Sequence, residues 1–398
     1  MQKKRVSIIG TTGLPAKYGG FETLTHHLVD RLNNRFDITV YCSSKYFADK
    51  KHRREFYNGA KLKYIPLNAN GYQSIIYDMI SMIKAIRESD VLLVLGISGA
   101  FIFPFLKLFT KKPILVNIDG QEWKRPKWSW VARKYLALSE KIAVRYADTV
   151  ITDNLIIREY VEDGYKRNDA WLIEYGADHV KKINYDLDSI RKYPFINKTY
   201  SFNVCRIEPE NNVHIILDAY SKIPHENIVI VGLWNHSAYA MQLKEKYNHH
   251  SNIFLLDPIY EQEELDLLRS NAKIYIHGHS AGGTNPSLVE AMYLELPVLA
   301  YDISYNRETT NHRAAYWRTA EELIVKILHL NKQQRNLMAE ELSAIAQERY
   351  TWARIADLYA QAIDGAPRNY IDDLTQEVSL QLEHEITITV QQELRQVA

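Results

Sequence analysis

The residues best suited to chemistry lie in residues 277–302, where a strand-like run leads into a loop of glycine and histidine and then a helical pattern. Gly282 and Gly283 expose backbone N–H groups to which phosphate or sugar oxygens could bind. Glu290 follows about one turn into the helix, and a carboxylate there could accept two hydrogen bonds from a ribose diol. This pattern predicts a nucleotide-sugar or phosphate site at the end of a strand.

The polar residues around this loop have structural as well as functional interpretations. Thr284 or Asn285 is suited to cap the helix, and Pro286 suits its first turn. His277 and His279 could face a ligand or could simply form hydrogen bonds within the loop.

A second glycine-rich loop, residues 10–22, follows the first strand-like run and precedes a helical pattern. Its glycines Gly19 and Gly20 would let an anion approach the helix N-terminus. The loop matches neither GxGxxG nor a P-loop, so a tight turn without a ligand fits equally well.

Four separated motifs carry a family resemblance: LPAKYGGFET, NIDGQEWKR, RIEPENN and GGTNPSLVEAM, in that order along residues 5–363. Together they resemble the retaining glycosyltransferases of family 4, which have the GT-B architecture. More narrowly, they are similar to bacterial rhamnosyltransferases of surface polysaccharides such as O-antigen or capsule. The resemblance implies transfer of L-rhamnose from dTDP-L-rhamnose to a polyprenyl-pyrophosphate-linked saccharide, with retention of configuration.

The family pattern also implies residue roles. Of two glutamates eight residues apart, Glu290 matches the one on the ribose, whereas Gly282 stands where the other would contact the donor sugar. We expect the backbone N–H groups of Gly283 and Thr284 to replace that carboxylate. The donor-binding residues are then expected to be Gly19, Gly20, Arg206, His279, Gly282, Gly283, Thr284, Asn285 and Glu290.

Two further family positions concern the leaving group and the acceptor. Arg206 matches an arginine on the donor pyrophosphate, but the accompanying lysine falls near Asn211 or Asn212, which carry no charge. Where many members have a histidine, this sequence has Asp119, which we expect to contact the sugar or the acceptor. The expected catalytic residues are Asp119, Arg206 and Glu290, although each could instead be an ordinary turn or surface residue.

Strand-like and helical runs alternate along the chain, and the strands are apolar throughout, which predicts an α/β fold of parallel sheets covered on both faces. The fold expected is GT-B: two doubly wound, Rossmann-like domains that face a cleft, followed by a C-terminal helical tail. The predicted divisions are an acceptor-binding domain at 1–178, a linker at 179–199, a nucleotide-sugar domain at 200–350, a terminal helix at 351–365 that crosses back to the first domain, and a tail at 366–398.

Composition separates the two halves of the chain. The 398 residues carry a net charge of +1, which hides +9 in residues 1–178 and −8 in residues 179–398. A basic half suits an anionic membrane or a pyrophosphate. Residues 123–135 combine three tryptophans with five basic residues, which fits a membrane interface, single-stranded nucleic acid or a solvated helix start. With no other nucleic-acid motif present, we favour a membrane that contacts Trp123, Lys124, Arg125, Lys127, Trp128 and Trp130.

Metal and membrane-spanning signals are weak. Cys42 and Cys205 are far apart and no Cys/His cluster exists, so neither zinc nor a disulfide is implied. Asp186 and Asp188 spell DxD, but in the linker rather than at a strand end. We expect no metal and no cofactor, and a cytoplasmic protein on the inner face of the plasma membrane. The apolar stretch 91–109 is interrupted by glycine and proline and predicts a buried strand and helix.

The tail, 366–398, has an apolar stripe at helical spacing, although 386–390 alternates like a strand. It could pack on its own domain or join copies into a homo-oligomer. Two alternative functions stay open: transfer from another nucleotide sugar (UDP- or GDP-linked), or a non-catalytic scaffold of a polysaccharide assembly complex.

Overall fold

The structure of the protein is a computed structural model that describes residues 2–16, 19–118, 120–125 and 128–367, without the side chain of His52. Asp119, Lys127 and nearly all of the tail therefore lie outside the described residues. The described chain forms two sheets, and we call the parts built on them the first and second domains.

The first domain contains an eight-stranded sheet in the order β3-β4-β2-β1-β5-β6-β7-β8. Its neighbouring strands are parallel except for β3 and β4. The strands are β1 (Lys4–Ile9), β2 (Phe36–Ser43), β3 (Phe56–Tyr57), β4 (Ala60–Ile65), β5 (Val91–Leu95), β6 (Ile114–Ile118), β7 (Thr149–Thr152) and β8 (Trp171–Leu172). The central strands β5 and β6 are buried at every residue, as a sheet covered on both faces requires.

Five helices of this domain cover the sheet: α1 (Gly20–Leu32), α2 (Gln73–Glu88), α3 (Phe103–Phe109), α4 (Trp130–Tyr146) and α5 (Leu155–Tyr165). Helix α1 packs on one face of the sheet. Helices α2 to α5 pack on the other face. The outer surfaces of α2, α3 and α4 therefore point the same way.

The second domain contains a six-stranded parallel sheet in the order β11-β10-β9-β12-β13-β14. The strands are β9 (Tyr200–Val204), β10 (Asn227–Val231), β11 (Ile253–Leu256), β12 (Ile274–His277), β13 (Val298–Tyr301) and β14 (Ala315–Trp317). The helices are α6 (Leu187–Lys192), α7 (Val213–Lys222), α8 (Ala238–Tyr247), α9 (Gln262–Ser270), α10 (Pro286–Tyr293), α11 (Ser304–Thr309), α12 (Ala320–His329), α13 (Lys332–Arg349) and α14 (Trp352–Asp364). Strand order reverses between β9 and β12, so the loops after these strands flank the crevice where such sheets bind ligands.

The last described helix returns to the first domain. The side chains of Trp352, Ile355 and Tyr359 on α14 join the core beneath α1. The Tyr359 hydroxyl accepts a hydrogen bond of 2.6 Å from Asn117 on β6.

A buried charge cluster also joins the domains. Arg349 at the end of α13 pairs with Glu174 of the first domain (2.6 Å) and with Glu308 on α11 (2.5 Å). Glu308 in turn accepts a 2.6 Å hydrogen bond from Asn154 at the start of α5. Because a buried cation without its partner is costly, this cluster stabilises the observed arrangement of the two domains.

The predicted α/β fold of two doubly wound sheets is confirmed, with local differences. The stretch 91–109 forms β5, a short 3-10 turn at Ala100–Ile102 and then α3, and no helix among the described residues is long and apolar enough to cross a membrane. The linker contains α6, whose first turn is capped by Asp186 through a 2.8 Å hydrogen bond from the backbone N–H of Ser189. Helices α6 and α11 were missed because they are short and mostly polar, and β14 was missed because it has only three residues.

Candidate active site

The candidate site lies where the loops after β9 and β12 face the first domain. The loop of residues 278–285 touches first-domain residues directly. A side chain in place of Gly283 would collide with the Asp153 carboxylate, and one at Gly120 would touch the backbone of Gly282. The domains therefore meet at this loop, and glycines are needed for the approach.

Glu290 lies on α10 at the edge of this crevice, with its side chain 11% exposed. Its Oε2 pairs with Nη2 of Arg269 at 2.6 Å, and its Oε1 lies 3.3 Å from Nε2 of His179. Burial favours the neutral carboxyl, but the positive charge of Arg269 and the contact with His179 outweigh it and lower the pKa of Glu290. The carboxylate is therefore ionised and can accept hydrogen bonds from a ligand.

His179 connects Glu290 to α14, the helix that returns to the first domain. The indole N–H of Trp352 donates to Nδ1 of His179 at 3.0 Å, so Nδ1 is the acceptor and Nε2 carries the hydrogen that faces Glu290. The ring of His27 stacks on Trp352 with centroids 4.2 Å apart. Sequence spacing gave no signal for this contact, because its members come from α1, the linker and α14.

The helix N-terminus beside Glu290 is not capped as predicted. Asn285 makes no side-chain capping bond to α10 and instead donates through Nδ2 to the Gly283 carbonyl at 3.3 Å. The Thr284 hydroxyl is buried and has no hydrogen-bond partner among the described residues. Pro286 occupies the first turn as expected. Asn285 therefore occupies the N-cap position, as predicted, but its side chain makes no capping hydrogen bond to the first N–H groups of α10.

The two loop histidines are neutral near pH 7. His277 is fully buried, and burial lowers its pKa to about 3. The pKa of His279 lies well below its usual value because of burial first, and then because of His277, Arg206 and Arg125. Their rings stack with centroids 4.4 Å apart. Neither ring supplies positive charge, which leaves the arginines to do so.

Arg206 and Arg125 approach this loop from opposite domains. Arg206 is exposed just after β9. Arg125 is only 7% exposed, pairs with Glu122 at 2.6 Å, and its Nη2 would lie 3.8 Å from a Cβ at Gly282. The prediction that Arg125 faces a membrane was therefore wrong, since its guanidinium is buried at the crevice. Its place in a run of basic residues and tryptophans hid this.

The asparagines at the position of the family lysine bind the protein itself. Asn211 donates to the Arg206 carbonyl at 2.7 Å, and Asn212 donates to the Gly278 carbonyl at 2.9 Å. Asn212 has a φ of 51°, a left-handed conformation that asparagine tolerates. Asn211 therefore stabilises its own loop, and Asn212 holds the loops after β9 and β12 together.

The glycine loop of the first domain is organised around Glu22. Its Oε1 accepts hydrogen bonds from the backbone N–H (2.7 Å) and the hydroxyl (2.9 Å) of Thr12. A side chain at Gly19 would collide with this carboxylate, and one at Gly20 would lie 3.4 Å from the Tyr175 hydroxyl. The donor role predicted for Gly19 and Gly20 stays a prediction.

The remaining residues predicted to face a membrane differ in exposure. Trp130 is 67% exposed and Lys124 is exposed. Trp123 and Trp128 are half-buried and donate their indole N–H groups to Glu140 (3.4 Å) and Glu122 (3.0 Å). Of the three tryptophans, Trp130 alone is free to enter an interface.

The two domains match two different protein-family models. Residues 3–178 match the family model described as Domain of unknown function (DUF1972), and residues 186–345 match Glycosyl transferases group 1. No curated protein sequence matches the chain.

Solved structures with 14% identity share the fold over nearly the whole chain. Sucrose-phosphate synthase from Thermosynechococcus elongatus has a TM-score of 0.78 and covers 92% of this chain and 100% of its own. HepE from Anabaena in complex with UDP-glucose has a TM-score of 0.71, with coverage of 92% and 100%. A glycosyltransferase from Rickettsia africae has a TM-score of 0.70, with coverage of 93% and 100%.

The protein therefore has the GT-B fold, as predicted. The fold and the Glycosyl transferases group 1 match of the second domain together support a GT-B glycosyltransferase.

Proposed function

We propose that this protein transfers L-rhamnose from dTDP-L-rhamnose to a polyprenyl-pyrophosphate-linked saccharide of a bacterial surface polysaccharide, with retention of configuration. The observation that best supports transferase activity is the ionised carboxylate of Glu290 at the crevice, which pairs with Arg269 and His179. The choice of rhamnose comes from the motif resemblance of the sequence.

Positive charge for the leaving pyrophosphate comes from both domains in this proposal. Arg206 on the second domain and Arg125 on the first both contribute to the lowered pKa of His279, which supports a shared role for their charges at this loop. Arg125 would thereby supply the charge of the family lysine. Fixed cations and N–H groups stabilise the negative charge that develops on the leaving oxygen. We expect neither a metal nor a cofactor to take part.

The bond changes follow from retention. The bond between the anomeric carbon of rhamnose and the phosphate oxygen breaks, and the acceptor hydroxyl oxygen bonds to the same face of that carbon. The hydroxyl proton passes to an oxygen of the departing dTDP. Asp119, which lies outside the described residues, is proposed to contact the sugar or the acceptor.

A UDP-sugar is the second candidate donor, because a solved structure with the same fold, HepE, contains UDP-glucose. The two nucleotides differ at the ribose, where UDP has a 2′-hydroxyl that dTDP lacks. If Glu290 binds the ribose, Glu290→Gln should lower the affinity for UDP more than the affinity for dTDP. The substitution perturbs two hydrogen bonds to the ribose of UDP but only one to the deoxyribose of dTDP.

The test is to incubate the purified full chain with dTDP-L-rhamnose, UDP-sugars and GDP-sugars, each with and without a polyprenyl-pyrophosphate saccharide. We expect acceptor-dependent release of dTDP and a product whose linkage retains the donor configuration. Release of UDP or GDP instead would show that a UDP-sugar or a GDP-sugar, and not dTDP-L-rhamnose, is the donor. An inverted linkage would overturn the mechanism, and no transfer from any donor would favour the non-catalytic scaffold.

A further inference from the structure

Helix α3 presents an apolar face to solvent. Phe105, Leu108 and Phe109 are 62%, 77% and 87% exposed, at a spacing that places them on one side of the helix. The opposite side, with Phe103 and Leu106, is buried in the core. A short helix that is apolar on both sides is unusual for a surface bathed only in water.

The neighbouring helix α4 continues this surface with a stripe of apolar and basic residues. Trp130, Lys134, Leu138, Lys141 and Arg145 are all exposed and recur every three or four residues. The Lys134 ammonium lies 4.0 Å from the centre of the Trp130 ring. Aromatic and aliphatic side chains beside lysines are typical of helices that lie at a lipid interface.

Helix α2 adds a third stripe on the same side of the sheet. Tyr72, just before the helix, and Ile76 and Ile83 within it are exposed, followed by the exposed Lys84 and Arg87. Because α2, α3 and α4 cover the same face of the sheet, their exposed sides point the same way, and we call these three stripes together the docking face.

The charge of this surface indicates its partner. On α2, α3 and α4 the exposed charged residues are five basic ones and one acidic one: Lys84, Arg87, Lys134, Lys141 and Arg145 against Glu88. Glu140 is buried, and Glu122 pairs with Arg125. The exposed leucines of the second domain differ, since Leu328 lies on a helix that begins with Glu321 and Glu322.

We propose that the docking face binds the surface of an anionic lipid bilayer, with α3 inserted among the headgroups and the basic residues of α4 and α2 against lipid phosphates. Each exposed basic residue near such a surface adds attraction, and buried apolar side chains add the rest. This inference rests on the proposed function for its purpose, since a lipid-linked acceptor must be reached from a membrane. Binding itself needs no catalysis.

The experiment is flotation of the full chain with vesicles of phosphatidylcholine and with vesicles of equal parts phosphatidylcholine and phosphatidylglycerol. We expect binding to the anionic vesicles and little to the neutral ones. The double variant Leu108→Ser/Phe109→Ser should lower the affinity by about tenfold or more, because both side chains lose burial in lipid. Lys134→Glu/Lys141→Glu should abolish the preference for anionic vesicles.

Matched controls lie on the second domain: Leu328→Ser/Leu337→Ser, whose side chains are 54% and 57% exposed, and Lys332→Glu. Both variants should leave vesicle binding unchanged. Thermal unfolding and nucleotide binding of every variant report whether it is folded. Absence of vesicle binding by the unaltered chain, or equal losses in the variants and the controls, would overturn the proposal.

Two further outcomes distinguish failure of the lipid proposal from failure of the proposed function. If the α3 variant changes the sedimentation of the chain but vesicles never bind, the docking face joins copies of the protein and the lipid proposal fails. If vesicles bind as expected while no donor is turned over, the proposed function fails and the docking face stands.

Discussion

Glu22 and Glu290 occupy similar places in the two domains, since each is a buried carboxylate near the start of a helix after a glycine-containing loop. Their partners differ. Glu22 accepts two hydrogen bonds from Thr12 of its own loop. Glu290 is held by Arg269 and His179 from other elements. The first arrangement stabilises a loop, whereas the second holds a charged group at a crevice, so a shared motif shape does not imply a shared role.

The largest expected difference is between substitutions of these two glutamates. Glu290→Gln should lower kcat/KM for donor by tenfold or more, since a charge-assisted contact is worth about 1.5–3 kcal/mol. Glu22→Gln should lower the Tm and change the donor KM by less than about twofold. Steady-state kinetics and thermal unfolding of both variants measure this. Equal kinetic losses would erase the distinction between the two domains.

The arginines test whether both domains serve the leaving group. Arg206→Ala and Arg125→Ala should each reduce kcat by about tenfold, because each removes a cation near the developing charge. Arg191→Ala on the exposed helix α6 is the control and should keep the normal rate. A normal rate for Arg125→Ala would show that only the second domain supplies positive charge to the leaving group.

A smaller effect is expected from loss of the hydrogen bond between Trp352 and His179. Trp352→Phe keeps a ring against His27 but removes the N–H that fixes the tautomer of His179. The donor KM should rise about two- to tenfold, the equivalent of one hydrogen bond, with less change in kcat. An unchanged KM at normal stability would show that Glu290 does not depend on His179 for its position.

The smallest effect near neutral pH concerns His277. Its pKa is about 3 in the folded protein and about 6.5 in an unfolded chain, so the unfolded state binds the extra proton between these values. The free energy of unfolding therefore falls as the pH falls below about 6.5. The loss due to His277 is less than about 1 kcal/mol at pH 6 and about 1.4 kcal/mol for each further pH unit down to the folded-state pKa. His277→Asn should flatten this slope in denaturant titrations, and an unchanged slope would show that His277 is not the source.

Much of the fold could be predicted because buried parallel strands are apolar throughout. The stretch 91–109, predicted as a buried strand and helix, forms β5 and α3. Strand β14 was missed because it has only three residues, and α11 was missed because its sequence, SYNRET, has no apolar periodicity. The parallel order within each sheet follows from alternating strands and helices.

The candidate site was less predictable than the fold. The loop at 278–285 and Glu290 stood out from residue type alone. Arg125 was assigned to the wrong surface, because a basic, tryptophan-rich run has the same composition whether it faces lipid or a crevice. The contact of Trp352 with His179 joins residues more than 170 positions apart, which no local pattern encodes.

The most direct test of the account is the rate of dTDP release from dTDP-L-rhamnose in the presence of a polyprenyl-pyrophosphate saccharide, measured for the unaltered chain and for Glu290→Gln. We expect release that requires the acceptor and is at least about tenfold slower in the variant. Equal rates for the two proteins, or no release by either, would contradict it.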